Sequence, residues 1–234
     1  LNTGQRASAV LTNAPTLVNG TIYTIAFNGT DAGGNAATEV SVTGITFDTT
    51  APTIIASTTI ASDNSTATVT FSEAVFDTNG GSGALEATDF TLSISGGVAT
   101  LGAATPTSIS ISGNAYTLGF NLSGTPTGAE TLRIVPSSAT AIYDAAGNAA
   151  STSQSNNTIT LNDQLSPTVS GTTVASDNTT IAVTFSEAVY NTTGGSGALE
   201  VSDFTLSISG GTATVGSTPS SISISGNVYT LGLT

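Results

Sequence analysis

Apolar and polar residues alternate at period two along most of the chain. Ala67, Val69 and Phe71 alternate with Thr66, Thr68 and Thr70, and the same rhythm returns through Phe90, Leu92 and Ile94 and through Ile109 and Ile111. It continues through Tyr116, Leu118, Phe120 and Leu122, and then through Leu132 and Ile134. Successive side chains of a strand point to opposite faces, so each segment predicts a half-buried strand and the set predicts antiparallel sheets with one wet face. Turn chemistry separates the segments: Gly96-Gly97, Gly113-Asn114, and Gly34-Asn35 and Gly147-Asn148 within the runs DAGGN and DAAGN. The one helix-like stretch, GALEATDF from Gly83, is too short for more than one or two turns. Many short strands with regularly spaced turns predict an all-β chain built as a two-sheet sandwich.

The pattern is also repeated on a larger scale. The run ASDNSTATVTFSEAVFDTNGGSGALEATDFTLSISGG from Ala61 returns from Ala175, 114 residues on, as ASDNTTIAVTFSEAVYNTTGGSGALEVSDFTLSISGG. PTSISISGNAYTLGF from Pro106 is answered by PSSISISGNVYTLGL from Pro219. A second correspondence links DAGGNAA from Asp31 to DAAGNAA from Asp144, and FDTTAPT from Phe47 to NDQLSPT from Asn162. Residues 51–164 therefore read as one complete domain, residues 1–50 as the closing part of a preceding one, and residues 165–234 as the opening part of a following one. The two outer pieces are complementary. Two explanations stand side by side: a long tandem array cut at an arbitrary point, as Leu rather than Met at position 1 suggests, or half domains that neighbouring copies complete head to tail.

Composition narrows the chemistry. The 234 residues carry 2 Lys+Arg against 15 Asp+Glu, a formal net charge of -13, and no Cys, His, Met or Trp. Arg6 and Arg133 are the cations, so no basic stripe exists for nucleic acid or an anionic membrane surface. Imidazole, thiolate and lysine chemistry are absent, which leaves carboxylates, as acids and bases or as oxygen ligands for hard cations. Charged residues are only 7% and apolar ones 38%, unlike the signature of a disordered chain. No apolar run approaches the roughly 20 residues of a membrane span, and no segment reads as a signal peptide.

FSEAV at Phe71 and Phe185, DAAGN late in the unit and the junction D-T-T-A-P-T at Asp48 carry a resemblance. The chain is similar to the bacterial immunoglobulin-like domains strung in tandem in surface adhesins and surface-layer proteins. The resemblance covers the central unit and both outer pieces, and the second junction, NDQLSP, departs from it. It implies an array of Ig-like sandwiches in an extracellular, non-enzymatic stalk, adhesin or filament at a microbial cell surface. The partners implied are neighbouring repeats or copies of the chain itself. It further implies that junction acids and the acid of the D-x-x-G-N turn hold a divalent cation, Ca2+, between consecutive domains. The candidate ligands are Asp31, Asn35, Asp48, Asp144, Asn148 and Asp163. Calcium takes six to eight oxygens, which carboxylates, Asn side chains and turn carbonyls supply. The alternative reading is that an Asp opening a turn caps its own backbone.

Other acids recur without the same promise. Asp63, Glu73, Glu86 and Asp89 return as Asp177, Glu187, Glu200 and Asp203, whereas Asp77 is replaced by Asn191. Glu86 and Asp89 lack any sign of the cleft that a glycosidase pair needs and read as turn acids or a cap. Glu73 reads as a strand-end hydrogen-bonding group or part of an acidic surface. Hydroxyl rows at Ser108, Ser110 and Ser112 and at Thr66, Thr68 and Thr70 suit a carbohydrate- or ice-binding face, the alternative function. They equally suit the ordinary polar coat of a sheet without lysine.

Overall fold

The computed structural model describes residues 15–234, so the first fourteen residues of the expected 1–50 piece, Arg6 among them, lie outside the described residues. Among those described, regular structure is almost wholly extended: fifteen strands and two short 3-10 turns, Ala87–Asp89 and Val201–Asp203. No helix among the described residues is long and apolar enough to cross a membrane. The chain divides into two compact units, Leu1–Gln164 and Leu165–Thr234.

Among the described residues the first strands of the first unit form an antiparallel hairpin, β1 (Thr21–Phe27) and β2 (Val40–Phe47). Then β3 (Ile54–Ile60), β4 (Thr66–Phe71), β7 (Ser108–Ser112) and β8 (Ala115–Gly119) form a four-stranded sheet in the order β3-β4-β8-β7. Three more strands, β5 (Phe90–Ser95), β10 (Thr131–Pro136) and β11 (Thr158–Thr160), form the sheet β11-β10-β5. A short pair, β6 (Thr100–Leu101) with β9 (Leu122–Ser123), sits apart in pairing from both.

The period-two alternation explains what lies between these sheets. From β4 and β8, Val69, Phe71, Tyr116 and Leu118 share one buried cluster with Phe90 and Leu92 of β5 and Leu132 and Ile134 of β10. Phe71 meets Tyr116 edge to face at 5.6 Å between ring centroids, and Phe90 lies 6.1 Å from the same tyrosine. Such a core is driven by burial at roughly 25 cal/mol per Å² and tuned by ring geometry. The opposite faces stay polar, with Thr68 and Thr117 joined across the strands at 2.7 Å.

Two details differ from the alternation read off the chain. The segment Tyr116 to Leu122 is two strands, because β8 ends at Gly119 and Leu122 leaves to pair with Leu101. On the edge strand β7, Ile111 is 46% exposed, since β7 lies at the margin of its sheet. The stretch from Gly83 contains only the single turn Ala87–Asp89, where Asp89 Oδ2 accepts the Glu86 backbone N–H at 2.7 Å.

One buried acid had no sequence signal. Glu130 is 0% exposed, with Oε1 accepting the backbone N–H groups of Val98 and Ala99 at 2.8 and 3.0 Å and Oε2 accepting that of Thr127 at 2.9 Å. Burial alone would raise its pKa, but the backbone donors of Ala99, Thr127 and Val98 outweigh that and hold it at about 2. Gly97, at φ +56°, permits the approach: a Cβ there would lie 2.0 Å from Glu130 Oε1.

The second unit repeats the first of these sheets. Strands β12 (Val169–Val174), β13 (Thr180–Phe185), β14 (Ile222–Ser225) and β15 (Val228–Gly232) pair in the order β12-β13-β15-β14, matching β3-β4-β8-β7. Even the ring geometry recurs, with Phe185 and Tyr229 edge to face at 5.5 Å and Phe204 at 6.1 Å.

Candidate metal centre

The D-x-x-G-N turns are built alike. Asp144 Oδ1 accepts the backbone N–H groups of Ala146 and Asn148, each at 2.8 Å, while its Oδ2 accepts the Asn148 side-chain amide at 2.7 Å. Asp31 does the same with Gly33, Asn35 and the Asn35 amide, each at 2.9 Å. Glycine is required in the Asp144 turn at Gly147, where φ is +92° and a Cβ would meet Asn79 Oδ1 at 2.3 Å. Both aspartates thus cap their own backbone. Their surroundings differ: Asp144 is fully buried and Asp31 is exposed.

Around Asp144 the fold gathers two further acids. The junction segment is stitched to the end of β4, because Ser72 donates its N–H to Thr53 O at 2.8 Å and Thr53 donates its own to Ser72 Oγ at 3.1 Å. That pairing carries Glu73 alongside the junction. The Asn148 amide also donates to Asp48 O at 3.2 Å, tying the junction to the turn. One oxygen from each of Asp48, Glu73 and Asp144 consequently falls within 4.8 Å of the others. Burial, followed by the negative charges of Asp144 and Asp48, pushes the Glu73 carboxyl above its ordinary range.

The donor set suits a hard cation. Two oxygens on opposite sides of one calcium, each at about 2.4 Å, lie about 4.8 Å apart, so three oxygens inside that limit can share an ion. Asp144 Oδ1 is occupied by two N–H donors, but its Oδ2 takes only the Asn148 amide; Asp48 Oδ1 takes the Thr50 N–H at 2.9 Å. Carboxylate lone pairs therefore remain for a ligand. Arg133 donates to Thr152 O instead. Asn148, read from the sequence as a ligand, is placed as the clamp between the two aspartates through its NH2 group.

The remaining candidates lie elsewhere. Asp31 and Asn35 form their own exposed turn, where the Asn35 side chain first and backbone N–H groups next hold the carboxyl below its usual range. Asp163 packs beside Gly128. Among the described residues only Asp48, Glu73 and Asp144 form a group of three potential ligands. From the sequence Glu73 reads as a strand-end acid, and the signal that marks it is its recurrence as Glu187 within FSEAV. No protein-family model, curated protein or solved structure gives a significant match to the chain.

Proposed function

We propose that the chain is a non-enzymatic structural repeat of an extracellular microbial stalk, adhesin or filament, in which Ig-like sandwiches act as spacers and calcium braces the entry to the central unit. The observation that carries this reading is the convergence of Asp48 from the junction, Glu73 from the end of β4 and Asp144 from the late turn. These three come from distant parts of the sequence, and an ion shared among them ties the junction to the sandwich. Residues Asp48, Glu73 and Asp144 hold the ion, Asn148 orients two of them, and water completes the six to eight oxygens. The ion supplies charge neutralisation and stiffness rather than reactivity. A chain so poor in charge and free of Cys and Met suits long exposure outside a cell.

Thermal melting tests this. Extracellular calcium sites have dissociation constants of roughly 10⁻⁴ to 10⁻³ M, so tenfold excess calcium stabilises by about 1.4 kcal/mol. For a unit of this size that raises Tm by roughly 4–6 °C. Melting curves that coincide in calcium and in chelator would remove the calcium brace.

A further inference from the structure

We propose that the edge strand β7 pairs antiparallel with the β7 of a second copy, so that two central units share one continuous sheet. β7 is the last strand of the order β3-β4-β8-β7, and its register against β8 is regular from Ser108↔Gly119 to Ser112↔Ala115. The two-residue turn Gly113-Asn114 makes Ser112↔Ala115 a hydrogen-bonded pair, and such pairs alternate along the strand. Ser112, Ser110 and Ser108 therefore direct their backbone groups to β8, while Ile109 and Ile111 direct theirs outward. Among the described residues no backbone bond outside the sheet engages either isoleucine. The central unit has both of its sheets in place around one core, so this edge belongs to the closed sandwich. Alternation puts both isoleucine side chains on the core face. Ile109 packs against the core, whereas Ile111 is 46% exposed at the rim of a groove of about 410 Å³. Val75, Phe76, Leu85 and Tyr116 line that groove.

The strand names its own partner. Ser108-Ile109-Ser110-Ile111-Ser112 reads the same in both directions, so a second copy laid antiparallel about Ser110 sets Ile109 against Ile111 and Ser108 against Ser112 on either side of the centre. Each Ile109–Ile111 pair exchanges both backbone bonds, and Ile109 of the second copy lies beside Ile111 on the groove side of the sheet. On the wet face the Thr68–Thr117 pair, joined at 2.7 Å, continues through Ser110 to the same serine of the second copy. Charge also favours a like partner: residues 90–129 carry no Asp, Glu, Lys or Arg, so a chain of net charge -13 repels itself least along this edge. The edge offers no charge to select a foreign strand, and it lacks the lysine or inward-pointing charge that ordinarily shields such edges. The same SISIS runs from Ser221 to Ser225, where β14 ends the matching sheet with Ile224 also 46% exposed. The 5 residues of β7 span about 16 Å, short of a standard interface, so the contact is transient between single units and strengthens through repetition.

The pairing does not depend on the calcium brace. The chain has no Cys, so single thiols report the register. Ser108→Cys, Ser110→Cys and Ser112→Cys are each made together with Ile224→Lys, which silences the matching edge at β14. All four positions are exposed, and circular dichroism checks that folding is retained. In the proposed register the two 110 positions face each other as a non-hydrogen-bonded pair, about 4.5 Å between Cα atoms and within reach of a disulfide. The two 108 positions lie about 13 Å apart and out of reach. Under mild oxidation at millimolar concentration, in calcium and in chelator, Ser110→Cys should give a disulfide-linked dimer. Ser108→Cys and Ser112→Cys should each stay monomeric alone, and their mixture should dimerise. Adding Ile111→Lys to Ser110→Cys should abolish its dimer. Equal dimer yields from the three single-thiol variants, a mixture that stays monomeric, or dimerisation that survives Ile111→Lys would overturn the proposal. So would a Ser110→Cys chain that stays monomeric, which would leave the edge to a foreign strand.

Discussion

At the scale of single residues, two glutamates carry opposite pH dependences. Glu130 is held at about 2 against an ordinary 4.5, so its contribution to stability is complete above the ordinary value and is lost as pH falls from there towards 2. Glu73 is raised, so its charge opposes folding at neutral pH and protonation relieves that as pH falls through the raised value. Glu130→Gln sets an NH2 group against backbone N–H donors and should cost about 1–3 kcal/mol, read by urea unfolding at pH 7. Glu73→Gln should do the reverse without calcium: removing one of three clustered charges raises stability by a few tenths to about 1 kcal/mol. In calcium the same variant should lose most of the wild-type gain in Tm. A Glu73→Gln variant that melts below the wild type in chelator would show that Glu73 has a supporting role unrelated to repulsion.

At the scale of elements, the two copies of the Phe-Phe-Tyr cluster differ in what covers them. Phe71→Ala opens a cavity in a closed core and should cost about 3–5 kcal/mol. Phe185→Ala removes a half-buried ring from an open face and should cost less than half as much in the monomer. Chemical denaturation of both variants, with the two units followed by hydrogen exchange, compares them. Equal losses would mean that the second core is as closed as the first. Most strands were legible because threonines and apolar residues alternate without interruption, as in Thr66 to Phe71. The break after Gly119 was not, since Leu118, Phe120 and Leu122 keep the alternation while the chain changes partner. Glu130 was equally hidden, because its burial depends on backbone N–H groups of Val98 and Ala99, far away in sequence. The candidate centre was half legible: repeats marked Asp48 and Asp144 as equivalent to Asp163 and Asp31. Only the pairing of Thr53 with Ser72 brings Glu73 to them.

At the scale of the molecule, the net charge of -13 acquires a structure. Three acids, one from the junction and two from the central unit, converge on one point, whereas Asp31 caps an exposed turn and Asp163 lies beside Gly128. The proposed calcium brace calls for one ion at this group of three, rather than one at every acidic turn. Isothermal titration calorimetry with calcium tests that directly. The account predicts one ion per chain in the 10⁻⁴ to 10⁻³ M range, roughly as for extracellular modules, and loss of that binding in both Glu73→Gln and Asp144→Asn. Absence of binding heat in the wild type, or binding that survives both substitutions, would contradict it.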